Sequence, residues 1–317
     1  MSMQPPDAWP TVSVVILNWN GMETVCDTVA SVFNLASPIP DVIVVDNAST
    51  DGSDVAVERR FPQVTLVRNT QNLGFATGTN VGIAHALERG ADCVLLLNND
   101  TRLDPLAVDY MVSAMLADPH RGVVVPKIHF YSYSPCEGRR IWAAGARWRR
   151  FPPRVTMRGY NQQDVGQYDT PGAVDYATGC ALLIRRETFD AAGLLDESYF
   201  MYQEDYAFCD RVRASALTIW YEPRAVVYHL VSASTGEGSP QKWCYWSRSL
   251  ALFYAQHYGH RWWAVIPLTT FLLWVAAREL VKGSRGWVRP VFQGARAGWE
   301  DLRGPRPGRR WLCGFYS

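Results

Sequence analysis

The chain has 317 residues, of which 48% are hydrophobic and 19% are charged, so it holds enough apolar material for a sizeable core and lacks the composition of a disordered protein. Its length indicates one large domain or two smaller ones. The formal net charge of +1 argues against a general nucleic-acid-binding protein, because such proteins usually carry a basic excess.

Short apolar segments alternate with helix-length segments in the first third of the chain. We predict buried strands at Val12–Leu17, Val42–Asp46, Val64–Val67 and Cys93–Leu97. We predict helices at Met22–Leu35, Asp51–Phe61, Ala76–Arg89 and Asp104–Asp118. Strands that are apolar throughout and separated by helices indicate βαβ units, and therefore a mainly parallel sheet flanked by helices.

The second half of the chain has a less regular pattern. Residues 126–175 are rich in Arg, Pro, Gly and aromatic residues, and we predict loops and a short hairpin there. Further strands are predicted at Ala181–Ile184 and Thr218–Tyr221, with a helix at Glu204–Ala214 between them.

The composition changes again from Trp243 onward. Trp262–Ala277 has no charged residue, and a helix over these sixteen residues would span roughly 24 Å at ~1.5 Å per residue, less than the ~30 Å hydrocarbon core of a bilayer. The stretch from Arg278 to Arg310 contains nine Arg or Lys and three acidic residues, which indicates an attraction to a negatively charged surface.

Polar residues follow each of the four predicted strands, at the sheet edge where ligands bind in open α/β folds. A single loop of this kind is ordinary turn chemistry, because Asn, Asp, Ser and Gly dominate turns, but four in register indicate a common site. In chain order these residues include Asn18, Asn20, Asp46, Asn47, Ser49, Asp51, Asn72, Gly74, Asn98, Asn99 and Asp100.

The usual phosphate-binding loops are missing from the sequence. No GxGxxG follows the first strand and no GxxxxGK[ST] occurs, which argues against a dehydrogenase and a P-loop enzyme. A bound diphosphate would then need another counter-charge, for which Mg²⁺ or Mn²⁺ held by carboxylates is suited. Asp100, at the end of an apolar strand, is the predicted metal ligand.

Four segments in this order, VSVVILNWNG, VVDNASTDGS, NLGFATGTNVG and LLLNND, resemble the family-2 glycosyltransferases of the GT-A fold. The segment from Ala177 to His229 resembles the acceptor half of the same enzymes, particularly bacterial rhamnosyltransferase-like members. The resemblance covers residues 11–255. It implies a Rossmann-like, mainly parallel GT-A sheet with a nucleotide-sugar-binding half at 1–125, an acceptor-binding half at 126–255, and a membrane-proximal helical extension at 256–317.

The resemblance also implies a set of nucleotide-sugar contacts. Asn18, Asp46 and Asp51 would hold the nucleoside, and an Asp acceptor for the base N3–H suits uracil or thymine. Gly74 and Gly78 would allow a close backbone approach. Thr178 and Gly179 would line the sugar pocket, with a simple turn as the alternative. The implied set is Asn18, Asn20, Asp46, Asn47, Ser49, Asp51, Asn72, Gly74, Phe75, Asn80, Asn98, Asn99, Thr178 and Gly179.

The implied metal site centres on Asn98-Asn99-Asp100, which matches the DXD-type motif of the family. It departs from that motif because its first residue is Asn, so a weaker metal affinity is expected. His229 matches a position that often supplies a second ligand, although an isolated His at a strand end is more often an ordinary surface or core residue. The resemblance therefore implies Mn²⁺ or Mg²⁺ at Asp100 and His229.

The implied catalytic pair is Glu204-Asp205, which matches the ED motif of the family at the start of a helix. Helix N-termini stabilise carboxylates in any case, so dipole stabilisation is the alternative role. An inverting transfer needs a base for the acceptor hydroxyl, and by resemblance Asp205 is that base, with Glu204 beside it. Adjacent carboxylates raise one pKa toward neutrality.

Aromatic side chains in the second half are candidates for stacking on sugar rings, with core packing as the alternative. They are Trp142, Trp148, Tyr199, Phe200 and Tyr202.

The expected activity is a metal-dependent, inverting transfer of a sugar, with rhamnose the first choice, from a UDP- or dTDP-sugar. The expected acceptor is a lipid-linked or polysaccharide glycan of the cell envelope. Two alternatives remain open. A sugar nucleotidyltransferase would normally carry a Gly-rich basic loop after the first strand, where this chain has NWNG. A catalytically inactive nucleotide-sugar-binding protein would not need Asp100, Asp205 and His229 together.

The N-terminal segment MSMQPPDAWP has neither a basic start nor an apolar stretch, so no signal peptide is expected. If Trp262–Val281 spanned a membrane, the basic segment would stay in the cytoplasm and the catalytic part would lie outside, away from nucleotide-sugars. We therefore expect a cytoplasmic protein at the inner face of the cell membrane, with peripheral contact through 258–317. The alternative is a C-terminal helix packed on the domain.

Overall fold

The computed structural model describes residues 9–39, 41–131, 139–150, 153–230, 240–258, 268–270, 272–274, 277, 281 and 288–301. The strands are β1 (Val12–Asn18), β2 (Asp41–Asp46), β3 (Thr65–Arg68), β4 (Cys93–Asn98), β5 (Thr101–Leu103), β6 (Arg121–Phe130), β7 (Ile141–Ala143), β8 (Ala146–Arg150), β9 (Pro153–Met157), β10 (Gly172–Val174), β11 (Ala181–Arg185) and β12 (Thr218–His229). The helices are α1 (Val25–Phe33), α2 (Ser53–Arg60), α3 (Gly74–Glu88), α4 (Ala107–Leu116), α5 (Arg186–Ala192), α6 (Glu204–Ala214), α7 (Pro240–Tyr258) and α8 (Val288–Asp301).

The described part of the chain forms a mixed sheet in the order β10-β12-β6-β11-β4-β1-β2-β3, with β5 paired to β12 and β7 to β6. The four N-terminal strands β1 to β4 are parallel to one another, which confirms the prediction of a mainly parallel sheet for this half. β11 lies between β4 and β6 and is antiparallel to both, and it joins the two halves into one sheet.

Helices cover both faces of the parallel strands, which explains why these strands are apolar throughout. Val15 of β1 shares a core with Ile83 of α3 on one face. Val14 and Ile16 share a second core with Val25 of α1 on the other face. This layering leaves only the loops at the strand ends open to a ligand, so the polar residues after β1, β2 and β4 meet at one edge of the sheet.

The second half departs from the sequence prediction in three places. β6 extends to Phe130, into a segment predicted as irregular, β12 continues to His229 instead of ending at Tyr221, and α5 is a helix that the pattern does not indicate. The apolar pattern of β6 is interrupted by Lys127 and His129, which are nonetheless buried. Both contact a carboxylate that lies more than 30 residues away in the chain, so the local pattern cannot reveal their burial. The predicted hairpin is confirmed as β8 and β9.

The C-terminal helices pack on the domain. Arg248 of α7 donates to the carbonyl of Ser198 at 3.1 Å, and the Ser249 hydroxyl donates to the carbonyl of Met201 at 2.6 Å. α8 packs on α7 through Gly294 and Gly298, where any side chain would collide with α7 backbone.

The apolar segment 262–281, part of the predicted peripheral membrane contact, lies largely outside the described residues, although Leu268 and Leu272 are buried against the main core. Every helix in the described part of the chain is too short or too polar to cross a membrane.

Candidate active site

A cavity of about 550 Å³ opens at the edge of the sheet where the strand-end loops meet. Its wall also includes the turn before β11, the segment that leads into α6, and the first turns of α7. Both predicted halves of the domain therefore contribute to one cavity. The predicted site residues on its wall are Asn47, Asn72, Gly74, Phe75, Asn98, Asn99, Asp100, Thr178, Gly179, Glu204, Asp205 and His229.

The remaining predicted residues make side-chain hydrogen bonds within the protein. In the described part of the chain, the cavity lining does not include Asn18, Asn20, Asp46, Ser49, Asp51 or Asn80. Asn18 is fully buried, its Nδ2 donates to Asp46 Oδ1 at 3.1 Å, and its Oδ1 accepts from Asn99 Nδ2 at 2.9 Å. Asn18 therefore orients Asn99, a wall residue, through a buried hydrogen bond.

The loops after β1 and β2 are tied together by polar side chains. Asn20 has a positive φ of 49°, and its Oδ1 accepts from Thr50 N–H at 2.9 Å. Asp51 accepts from the N–H groups of Met22 and Ser53 at 2.9 and 3.0 Å. Through these contacts Asn20 and Asp51 hold the two loops together without a ligand. Their contact with a nucleoside remains a prediction.

Asn47 connects the loop after β2 to the start of α3. Its Nδ2 donates to Asn72 Oδ1 at 2.9 Å and to Gly74 O at 3.0 Å. Gly74 has φ +81°, and a Cβ there would collide with Phe200. The group that approaches Gly74 closely is therefore Phe200. Because Gly74 has no side chain, the two halves of the domain can pack together at this point.

Asn80 makes a similar connection deeper in the fold. Its side-chain amide donates to Leu195 O at 2.9 Å and accepts from Leu195 N–H at 3.0 Å. It also donates to Glu197 Oε1 at 3.1 Å. All these partners are protein groups, so this side chain anchors the segment that runs toward α6.

Asp100 and His229 face each other at the ends of β4 and β12. His229 Nε2 lies 3.1 Å from Asp100 Oδ1, and each side chain is 7% exposed. Pairing of β12 with β5 aligns His229 with Thr101 and so fixes this contact. Burial lowers the pKa of His229, but Cys180 and Asp100 outweigh that effect and raise the pKa above its ordinary value, which favours an ion pair.

Asp100 and His229 could supply two ligands of the expected divalent cation, which is part of a complete coordination shell. His229 Nδ1 is buried without a hydrogen bond in the described structure, although buried polar atoms are normally satisfied, whereas Asp100 Oδ1 has its ion-pair contact with His229 Nε2. In the described residues, no group of three or more His, Cys, Asp and Glu side chains converges as a complete metal site. A cation held here would take its remaining ligands from phosphate oxygens and water, as Mg²⁺ commonly does.

Asp205 lies in the first turn of α6, directly after Glu204. Its Oδ2 accepts from Gly179 N–H at 2.9 Å, and its Oδ1 accepts from Tyr206 N–H at 2.8 Å. The two residues before the helix, Tyr202 and Gln203, have positive φ values of 70° and 69°. Left-handed backbone is costly for such residues and clusters at functional sites, where the surrounding packing maintains it.

Burial separates the pKa values of the two carboxyl groups. Burial, followed by the charge of Asp205, raises the pKa of Glu204 well above its ordinary value. Burial raises the pKa of Asp205 to about 6, although its hydrogen bonds favour the charged form. With a pKa of about 6, Asp205 is mainly ionised at neutral pH. Asp205 is the member of the pair that can accept a proton from a bound hydroxyl group.

The candidate sugar-stacking residues divide between the cavity and the core. Trp142 and Tyr202 line the cavity. Tyr199 is fully buried and donates to Gln256 Oε1 at 2.6 Å, and Phe200 stacks on a ring of α7. Trp148 packs against the main core.

Sequence reasoning missed several residues of the wall. Trp19 and Tyr160 line the cavity, as do Lys242 and Trp246 of α7. The i, i+4 spacing of Lys242 and Trp246 indicates that they share one face of a helix, but it does not show what that face packs against. Their position depends on contacts between α7 and the segment before α6.

Comparisons with known proteins agree on one family and one fold. Residues 13–191 match the sequence profile of glycosyl transferase family 2. Over 255 residues, 74% of this chain, the sequence is 30% identical to the N-acetylglucosaminyl-diphospho-decaprenol L-rhamnosyltransferase of Mycobacterium tuberculosis (strain ATCC 25618 / H37Rv), of which it covers 81%.

Two solved structures share the GT-A architecture at 18% identity, a level that shows the fold alone. GalNAc-T7 with UDP, GalNAc and Mn²⁺ matches with a TM-score of 0.59 over 80% of this chain and 51% of that longer chain. The mannosyltransferase PcManGT from Pyrobaculum calidifontis, in complex with GDP-Man and Mn²⁺, matches with a TM-score of 0.56 over 94% of this chain and 88% of that chain.

Proposed function

This chain belongs to glycosyl transferase family 2, and from that membership we propose that it transfers a sugar from a UDP- or dTDP-sugar with inversion at the anomeric carbon. Rhamnose is the proposed sugar, supported by the name of the mycobacterial relative. The proposed acceptor is a lipid-linked or polymeric glycan of the cell envelope.

Asp205 supports the inverting mechanism more than any other feature of the site. It lies on the cavity wall and is held by two backbone N–H groups, so its orientation does not depend on a ligand. As its pKa is about 6, it is ionised at neutral pH yet basic enough to take the acceptor proton. The acceptor oxygen then forms the new bond to the anomeric carbon while the bond to the diphosphate breaks, and no covalent enzyme intermediate is needed.

Asp100 and His229 are the proposed ligands of a divalent cation, Mn²⁺ or Mg²⁺. When bound, such a cation would supply positive charge that stabilises the departing diphosphate. The buried His229 Nδ1, which lacks a hydrogen bond in the described structure, and the position of Asp100 beside this ring support this assignment. Asn99 lies beside them in a fixed orientation because its Nδ2 donates to Asn18 Oδ1, so its side chain is positioned on the wall before a nucleotide-sugar binds.

We also propose that the protein works at the inner face of the cell membrane through residues 258–317. Exposed apolar side chains at Leu273, Trp274 and Phe292 occur together with the basic residues Arg289 and Arg296 in this part of the chain. Apolar and cationic groups side by side favour binding to anionic lipid. Cosedimentation with phosphatidylglycerol vesicles but not with phosphatidylcholine vesicles is the expected result, and equal binding to both would refute it.

Donor turnover by the purified protein tests the proposed reaction. We expect release of nucleoside diphosphate from one member of a panel of UDP-, dTDP- and GDP-sugars, in the presence of an acceptor and Mn²⁺ or Mg²⁺, and loss of release with EDTA. Asp205→Asn should lose transfer and keep nucleotide binding. A variant that keeps both would indicate a binding protein, and pyrophosphate release from a nucleoside triphosphate would indicate a nucleotidyltransferase.

A further inference from the structure

The first turns of α7 bring a positively charged side chain, Lys242, and an aromatic ring, Trp246, to the candidate active-site cavity. Lys242 is the one Lys or Arg among the described residues of its wall, which also carries Asp100, Glu204 and Asp205. Trp246 lies four residues later on the same helix and also lines the cavity, so the two side chains share one helix face.

Contacts of α7 place this face near the proposed base. The Tyr245 ring stacks on Phe200 with centroids 4.8 Å apart, and Ser249 Oγ donates to Met201 O at 2.6 Å. The segment held in this way continues directly into Glu204 and Asp205 at the start of α6. Lys242 and Trp246 therefore belong to the wall that approaches the acceptor hydroxyl, whereas the proposed cation ligands lie at the ends of β4 and β12.

We propose that Lys242 and Trp246 form a subsite for a sugar-diphosphate acceptor, with Lys242 binding the diphosphate and the Trp246 indole covering a sugar face. This inference rests on the proposed glycosyl transfer. It names the acceptor class as a diphosphate-linked sugar in preference to an uncharged polysaccharide.

The charge of the cavity supports this assignment. Asp205 places a negative charge on the wall beside the approaching acceptor, and a compact positive charge such as that of Lys242 offsets its repulsion of a phosphate group. An indole offers a large rigid apolar surface at low entropic cost and can cover the apolar face of a sugar ring. An uncharged polysaccharide acceptor could stack on the ring but would form no ion pair with the ammonium group.

Binding of two synthetic probes to the full-length protein tests the subsite independently of turnover. One probe is N-acetylglucosaminyl diphosphate on a short alkyl chain, and the other is the alkyl N-acetylglucosaminide without phosphate. Titration calorimetry in the presence of UDP or dTDP should show that the wild type binds the diphosphate probe at least about tenfold more tightly. Lys242→Gln should weaken that probe by about ten- to a hundredfold and leave the phosphate-free probe within about twofold.

Matched variants separate the subsite from general charge and folding effects. Lys242→Arg should keep most of the preference for the diphosphate probe. Arg59→Gln removes an exposed charge from α2, outside the cavity lining, and should change neither affinity. Trp246→Ala should weaken both probes, because both carry the sugar.

Three results would overturn the subsite. They are equal wild-type affinity for the two probes, an equal loss for both probes in Lys242→Gln, and a loss of UDP or dTDP affinity in that variant, which would assign Lys242 to the donor. Absence of transfer from every donor would instead refute the proposed function, and the probe affinities would still be measured.

Discussion

Replacing Asp205 by asparagine should remove transfer and also make the fold more stable above about pH 6. The structure holds this carboxyl group in a site where burial raises its pKa from 3.8 to about 6. The folded state therefore binds the proton more tightly than the unfolded chain does. As pH rises from about 4 through about 6, the wild type loses stability because it must ionise a carboxyl group that the fold disfavours. The asparagine variant does not titrate and escapes this loss.

The size of the effect follows from the shift and from the hydrogen bonds. A difference between 3.8 and about 6 corresponds to about 3 kcal/mol at ~1.36 kcal/mol per pH unit. Asparagine has one acceptor oxygen, so it keeps only one of the two backbone bonds from Gly179 and Tyr206, which offsets about 1 kcal/mol. Partial exposure of Asp205 reduces the gain further. We expect a net gain of about 1 kcal/mol at pH 8 and a net loss of similar size near pH 4.

Urea denaturation of both proteins near pH 4 and pH 8 measures this crossover, and the pH profile of wild-type kcat/KM measures the same ionisation. The acidic limb of that profile should have an apparent pKa of about 6. Asp190→Asn, an exposed acid of α5, is the matched control and should change neither property. A stability difference independent of pH, an acidic limb near the ordinary carboxyl value, or full transfer by the variant would each refute the reasoning.

Three further predictions follow from other parts of the structure. His229→Ala should raise the Mn²⁺ concentration needed for half-maximal turnover by about ten- to a hundredfold, and unaltered metal dependence would remove His229 from the ligand set. The urea midpoint should fall as well, because the substitution leaves Asp100 buried without its partner. Gly298→Val should lower the free energy of unfolding by about 1–3 kcal/mol because its side chain collides with α7 backbone, whereas Gly172→Ala, in open space, should have little effect. Asn80→Ala should destabilise the fold by about 1–3 kcal/mol, as measured by denaturation, with an unchanged donor KM. A raised donor KM at wild-type stability would instead support nucleotide-sugar contact by this side chain.

The strand-end residues show how far local patterns reach. Asn47, Asn99 and Asp100 follow buried parallel strands, and the carboxyl ends of such strands meet at one edge whatever the rest of the fold does. Their presence on one cavity wall was therefore predictable from hydrophobic patterning and turn chemistry alone. The family motifs added Asp205 and His229, which lie on the same wall but more than 100 residues further along the chain.

Other site features depend on partners that are distant in sequence. Lys127 interrupts the pattern of β6, and its contacts with Asp164 and Asp169 explain why a charged side chain is buried there. β12 was predicted too short for the same kind of reason, because its last residues pair with β5 and β6, which the local sequence does not specify.

The sequence by itself determined the parallel βαβ half, the position of the site at its strand ends, and the family. Only the tertiary structure decided which polar side chains line the cavity and which support it, because Asn18 and Asn80 have the same chemistry as wall residues and differ only in the partners that surround them. The contribution of α7 was decided in the same way. Lys242 and Trp246 reach the cavity because the helix is held on the segment before α6 by Ser249, and a hydrogen bond across nearly 50 residues leaves no trace in local periodicity.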